Sequence, residues 1–318
     1  MFRSSAPGRI GILGNPSDIY GGKVIAIAIQ YRAEVTIKDS NQLSIKMWNE
    51  KEADENLKKL IDVSLKRLVK EGWIKKKPPI EVAVRTSIPR ESGMGGSTAI
   101  IVAFLDACRK MLNLTYNNYR LAEIVQKIEH KDLGIVAGYN DRYAITFGSL
   151  LFMDFTGKDV DREVWEGEPY AKIRNIPIKD KIPLLCGYWG VRRSSSSVHA
   201  PIRRRYMQGD PKVIDAIKEL IKITEEGEKA ITQSDWKQLG ELMNINYEIT
   251  KEIGWAYEID DKLRKVGLKH GATAAKLGGA GNGGVMIFLC PENRNKVLKA
   301  LQNAGAKTFI PKISPGVQ

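Results

Sequence analysis

Three glycines in four residues, followed by a Ser-Thr pair, make Pro89-Arg90-Glu91-Ser92-Gly93-Met94-Gly95-Gly96-Ser97-Thr98-Ala99 the stretch of this sequence best suited to hold an anion. Glycines carry no Cβ, so backbone N–H groups can close on a phosphate. The apolar run Ala99–Leu105 predicts a helix directly after the loop. A helix start adds unpaired N–H groups and the positive end of a dipole. Ile80 to Thr86 predicts the strand before it, and Pro89 breaks that pattern. A hydroxyl at the helix start is a hard oxygen of the kind magnesium prefers. The loop is not a Walker loop, because Ser97 and Thr98 stand where a Lys would follow the last glycine. It does not have the glycine spacing of a dinucleotide fingerprint either. A plain tight turn uses the same glycines, and the loop alone does not separate the two readings.

The chain around it has 318 residues, enough for two domains. At 43% hydrophobic and 27% charged residues it has the composition of a soluble globular protein. The longest apolar runs, Val24–Ile29 and Ala99–Leu105, fall far short of the roughly 20 residues of a membrane span. No signal-peptide pattern follows Met1. Cys108, Cys186 and Cys290 are too scattered for a disulfide framework or a zinc site, which points to a reducing cytoplasm. The net charge of +13 fits a nucleic acid, an anionic substrate or a Lys-rich surface. Aromatic residues are not interleaved with runs such as Lys75-Lys76-Lys77, which argues for small anionic ligands over nucleic acid.

The positioning elements read as follows. Residues 3 to 38 alternate glycine turns with β-branched strands. Glu52 to Glu71 predicts an amphipathic helix, with Leu57, Leu60, Ile61, Leu65, Leu68 and Val69 on one face. Asn117 to Glu129 predicts another, and Gly134 to Arg142 a loop of small residues. Leu150 to Phe155 reads as a strand, and Lys158 to Asp180, with Pro169 and Pro177, as a linker. Ile182 to Trp189 is strand-like. Asp210-Pro211 is an N-cap and N1 pair opening a helix. Asp235 and Asp260 open two more. The glycine run Gly278–Gly284 leads into the strand Val285–Cys290, and a helix and the strand Lys307–Ile310 close the chain. This order predicts two α+β domains, residues 1–170 and 171–318.

Three separate stretches then agree. Ala6-Pro7-Gly8-Arg9-Ile10 with Leu13-Gly14, Pro89 to Ala99, and Lys276-Leu277-Gly278-Gly279-Ala280-Gly281-Asn282-Gly283-Gly284 stand in that order across almost the whole chain. They resemble the three motifs of the GHMP kinases, named for galactose, homoserine, mevalonate and phosphomevalonate; the second matches P-x-x-x-G-L-G-S-S-A-A. Three in order are specific where one is not. The departures are Gly14-Asn15-Pro16 for the family's G-E-H, Gly96 for the first Ser of its pair, and Met94 for Leu. Gly14 to Tyr20, Gly134 to Arg142, and Ser197-Val198-His199 followed by Arg203 and Arg205 resemble one branch, the glucuronokinases of plants.

The resemblance implies an α+β fold with a ribosomal-protein-like N-terminal domain, a ferredoxin-like C-terminal domain, and ATP and substrate in the cleft between. It implies that Pro89, Gly93, Met94, Gly95, Gly96, Ser97 and Thr98 hold the ATP phosphates, and that Ser97 and Glu129 hold magnesium. It places Asp141 beside the acceptor hydroxyl and Arg9 beside the transferred phosphoryl group. It assigns Asn15, Asp18, Tyr20, Ser195, His199, Arg203, Arg205, Gly279, Ala280 and Gly281 to the substrate side. Phosphoryl transfer needs positioning, a metal bridging phosphates and charge neutralisation, and these residue types suit it. Asp141 can accept or orient the hydroxyl proton.

Each residue also has a plainer role. Glu129 on a helix is otherwise a solvated charge. Asp141 is a turn former or a partner for Arg142. His199 is a structural histidine, and Arg203-Arg204-Arg205 a solvated face, an RNA contact or an acid-binding site. The expected activity is ATP-dependent phosphorylation of an anionic sugar, glucuronate first, then galacturonate, a neutral sugar or a polyol, by a cytoplasmic monomer or homodimer. The alternatives from other classes are a basic RNA-binding module and a catalytically silent sensor.

Overall fold

The computed structural model describes residues 1–48, 53–161, 170–190 and 196–318. Strands β1 (Phe2–Leu13) and β2 (Lys23–Asp39) pair antiparallel along nearly their whole length. β2 is long enough to carry two further partners. Its second half pairs with β4 (Ile80–Thr86) and its first half with β5 (Leu150–Asp154). β3 (Ser44–Met47) lies parallel to β4, and β6 (Lys172–Asn175) extends the other edge. Val24 to Ile29 is buried throughout, since helices cover both faces of this sheet. That is why the run reads as continuously apolar. Register slips at Pro7/Gly8 and again between Gly11 and Leu13. Arg9 therefore sits in a short segment between two irregularities, a common device for re-aiming a side chain.

The helices of this half of the chain are α1 (Glu55–Lys70), α2 (Gly96–Leu112), α3 (Asn118–Lys127) and α4 (Asn140–Phe147). The predicted amphipathic helix is α1, with Leu57, Ile61, Leu65 and Leu68 buried and Asp54 as its cap. The predicted helix after Asn117 runs to Lys127 and then widens into a π-helical turn, Ile128–Asp132. Gly134 to Arg142 is not loop throughout, because α4 begins at Asn140. The expected linker, 158–180, includes β6, which returns to the N-terminal sheet across the expected division at residue 170.

The second sheet holds β7 (Leu184–Tyr188), β8 (Ala274–Leu277), β9 (Met286–Leu289) and β10 (Lys307–Phe309) in the order β10-β7-β9-β8, all antiparallel. Between β7 and β8 lie α5 (Ser196–Met207), α6 (Pro211–Gln233), α7 (Trp236–Glu252) and α8 (Glu258–Lys269); α9 (Arg294–Asn303) joins β9 to β10. In chain order the strands stand fourth, first, third, second, with helices in the first and last connections, which is the ferredoxin-like pattern. Asp210 caps α6 and Pro211 opens it, as the sequence predicts.

The chain after β10 returns to the N-terminal domain. Ser149 donates to Ser314, Ser314 to Ala28, Val317 to Thr146, and Ser5 exchanges backbone bonds with Gln318. Arg32 locks this tail, giving five hydrogen bonds of 2.7–3.0 Å to Ser5, Ser314, Pro315 and Gly316. Arg32→Ala should therefore lower unfolding stability by about 2–4 kcal/mol, and Arg32→Lys should recover little, because an ammonium cannot reproduce the planar fork. Urea unfolding midpoints within error of wild type for Arg32→Ala would disprove this role.

Candidate active site

The glycine loop ends in a bare helix terminus. Gly93 and Gly95 take positive φ values, 75° and 76°, which suits residues without a Cβ. Gly95 is the N-cap of α2, no side chain caps it, and the first turn holds no acidic residue. The first-turn N–H groups and the dipole end are thus left for an anion. Pro89 closes the turn from the other side by accepting from the Ser92 hydroxyl at 2.7 Å. Met94 and Thr98 are buried, and Ser97 is exposed at the helix start.

Arg9 and Asp141 meet beside this loop. Arg9 Nε donates to Asp141 Oδ1 at 2.6 Å and Nη2 to Oδ2 at 2.5 Å, a forked pair. Nη1 donates to the Gly93 carbonyl at 2.5 Å, and the Arg9 backbone N–H to the Met94 carbonyl at 3.0 Å. Strand β1 thus holds both the carboxylate and the glycine loop. Asp141 reaches this point because Asp18 caps α4 from a distance: its Oδ2 accepts from the Tyr139 and Asn140 N–H groups, both at 2.9 Å. Burial pushes the Asp141 carboxyl up, but Arg9 and Arg142 outweigh it and hold it below the usual carboxylate range. Asp141 is therefore ionised at neutral pH.

Glu129 lies in the π-helical turn. Both its oxygens accept from Thr98 Oγ1 at 3.0 Å, and Oε2 pairs with Arg142 at 2.5 Å. The hydroxyl joined to Glu129 is thus that of Thr98, the neighbour of the expected Ser97. Burial raises the Glu129 carboxyl, the Asp141 charge adds to this, and Arg142 opposes both. The donor chemistry fits magnesium: an exposed Ser97 hydroxyl and a carboxylate tied to the next residue of the same helix start. Magnesium commonly takes one or two protein oxygens and leaves the rest to phosphates and water.

The third glycine stretch packs directly on the second. A Cβ at Gly279 would lie 2.1 Å from the Gly93 carbonyl oxygen, and Val285 N–H donates to Ser92 at 2.7 Å. Asp260 fixes this stretch by accepting from Asn282 and Gly283 N–H at 2.7 and 2.8 Å. Ala280 is buried, and a Cβ at Gly281 would lie 2.3 Å from the Trp255 carbonyl oxygen. Gly11 N–H donates to Gly278 at 2.7 Å, so all three motifs meet. Lys276 Nζ adds bonds to Asn15 Oδ1 at 2.9 Å, Leu277 O at 2.5 Å and Gly11 O at 3.3 Å. Burial, and then the charge of Arg9, bring its amine down to about 7. Asn15 is therefore engaged beneath the loops, where the family pattern has a Glu.

The other expected substrate residues divide. Tyr20 packs on Tyr206 with ring centroids 4.2 Å apart, and Arg203 lies close enough to affect its ionisation. Arg203 pairs with Asp161. Arg205 is occupied by Asp210 at 2.8 Å and by the Ile253 carbonyl at 3.0 Å. His199 lies on the site side of α5, near enough for its charge to bear on Asp141, and packs on Trp255 at 5.2 Å between centroids. Ser195 lies outside the described residues. Arg142, Lys276, Asp260 and Trp255 were not assigned roles from the sequence. Arg142 and Lys276 lie inside matched stretches, which marks them; Asp260 read only as a helix start, and Trp255 carried no signal.

The family model for the GHMP kinases N terminal domain matches residues 57–149, and that for the GHMP kinases C terminal matches 228–307. The chain is 29% identical to glucuronokinase 1 of Arabidopsis thaliana, over 91% of this chain and 85% of that one. It is 28% identical to mevalonate kinase of Thermococcus onnurineus, over 98% and 96%. Its fold matches that of Lactococcus lactis galactokinase complexed with galactose, with a TM-score of 0.80, 17% identity, and coverage of 100% and 94%. The contact between the glycine stretches has a direct check. Gly279→Ala should destabilise the protein by about 1–3 kcal/mol through overpacking. Gly96→Ala should be near neutral, since its Cβ would meet only Ile88 at 3.5 Å. Equal unfolding midpoints for the two variants would contradict the packing described.

Proposed function

Because the chain belongs to the GHMP kinase family, we propose that it transfers the γ-phosphoryl group of ATP to a sugar hydroxyl, with glucuronate as acceptor and glucuronate 1-phosphate as product. The observation that carries phosphoryl transfer is the forked Arg9–Asp141 pair set against an uncapped helix terminus. The loop and the start of α2 hold the phosphates. Asp141, kept ionised by Arg9, takes the proton from the acceptor hydroxyl as its oxygen bonds to the γ-phosphorus and the bond to ADP breaks. An anomeric hydroxyl is more acidic than an ordinary alcohol, which eases that step. The Arg9 guanidinium neutralises charge on the transferred group. Ser97 and Glu129 would hold a magnesium ion, which would supply charge neutralisation for the phosphates.

The acid substrate is supported by the similarity to glucuronokinase and by the arginines of α5. A carboxylate needs a cationic partner, and an arginine fork suits it. Both are paired, Arg205 with Asp210 and Ile253 and Arg203 with Asp161; Arg203, which also lies beside Tyr20, is the better candidate. Mevalonate, also a hydroxy acid, is the second reading, favoured by the similarity to the archaeal mevalonate kinase over almost the full chain.

An acceptor panel of glucuronate, galacturonate, glucose, galactose and mevalonate, read by ADP release and by NMR of the product, decides between them. Glucuronate should give the highest kcat/KM, and a stronger response to glucose or mevalonate rejects the assignment. Asp141→Asn should lower kcat by about 10²–10⁴-fold while ATP still binds. Arg203→Ala should lower kcat/KM for glucuronate by about 10²-fold and leave ATP affinity unchanged. Full retention of the preference for the acid would remove Arg203 from that role.

A further inference from the structure

Glu129 is held in place by a turn that is itself under constraint. Leu133 N–H donates to the Ile128 carbonyl, five residues back, and Ile135 N–H to the Glu129 carbonyl, both at 2.9 Å. Such widened turns are rare, lose hydrogen-bond quality against a regular helix, and concentrate at functional sites. Nothing in the Ile128–Asp132 sequence favours one. Its last residue, Asp132, is gripped from α1 by a fully buried arginine. Arg67 Nε donates to Asp132 Oδ2 at 2.6 Å and Nη2 to Oδ1 at 2.7 Å. Arg67 Nη1 also reaches Glu71 at 3.3 Å, and Glu71 is held in turn by Arg120 at 2.8 Å. A charged group, Arg67, is thus withdrawn from water to join α1 to a partly exposed carboxylate on the turn, although neither touches the proposed reaction centre. An apolar pair would join two helices at less desolvation cost. A forked ion pair adds a fixed direction, which apolar packing does not.

We propose that Arg67 is a positioning residue: through Asp132 it sets the widened turn so that the Glu129 carboxylate meets the start of α2, where it would hold a metal that arrives with the nucleotide. This rests on the reading of Glu129 as a metal ligand. Residues that orient a ligand from behind typically govern metal affinity by about 10–100-fold.

The test is titration of manganese(II), followed by its EPR signal, into the enzyme with a non-hydrolysable ATP analogue. The variants are Arg67→Met, Arg67→Lys, Asp132→Asn and Glu129→Gln. Arg67→Met should weaken manganese binding about 10–100-fold, Asp132→Asn less but in the same direction, and Arg67→Lys should fall between Arg67→Met and wild type. Metal-free nucleotide affinity should stay within about twofold for the Arg67 and Asp132 variants, because neither residue touches the glycine loop. If Arg67→Met does not fold, Asp132→Asn, which keeps the side-chain shape, decides alone. Wild-type manganese affinity in the folded Arg67 and Asp132 variants, with affinity lost in Glu129→Gln, overturns the positioning role and spares the metal site. Unchanged affinity in Glu129→Gln overturns the metal reading and this proposal with it. A parallel loss of metal-free nucleotide binding shows general loosening and also overturns it.

Discussion

The Arg9–Asp141 ion pair is the constraint on which the site depends. It joins residues 132 positions apart, one on the first strand and one on α4, and its arginine also grips the glycine loop through the Gly93 carbonyl. Removing either partner would leave a charge in a largely buried place, a costly state. Much of the surrounding structure can be read as a way of bringing these two side chains together. The register slips in β1 aim Arg9. Asp18 starts α4 one residue before Asp141. The tail after β10 bonds to Thr146 near the other end of the same helix.

The pair is one end of an alternating series of charges. Arg9 faces Asp141, Asp141 lies 3.9 Å from Arg142, and Arg142 pairs with Glu129, which accepts from Thr98 on α2. The two carboxylates are displaced in opposite directions. Asp141 has two arginines close by and stays below the usual range, while Glu129 is more deeply enclosed and is pushed above it. Opposite displacement of neighbouring acids lets one site assign them separate tasks. Asp141 is ionised without help, whereas a cation placed near Glu129 would favour its charged form.

The interdomain contact follows the same economy. The glycine stretches approach so closely that a methyl group on Gly279 would strike the Gly93 carbonyl. Lys276 bonds Asn15 and Gly11 across the same boundary. Here a carboxamide stands where the family pattern has a Glu, and the buried amine that bonds it is displaced towards neutrality by burial and then by the charge of Arg9.

The sequence by itself determined the three glycine stretches, their order, the capped amphipathic helices and three strands of the second half, β7, β9 and β10; the short β8, Ala274–Leu277, was not legible beside the glycine run. Each is local: a period, a cap or a positive φ is specified within a few residues. The helix α4, the π-helical turn and the roles of Arg67, Arg142 and Asp260 were decided only by tertiary structure. α4 takes its cap from Asp18, far away in sequence, so its own residues read as a loop. The widened turn depends on a partner on α1, and periodicity alone predicts a regular helix there. Which neighbours Arg203 and Arg205 meet was likewise decided by the fold: Asp161 pairs with Arg203, and Asp210 and the Ile253 carbonyl hold Arg205. Charges specify that they need partners; only the folded chain selects them.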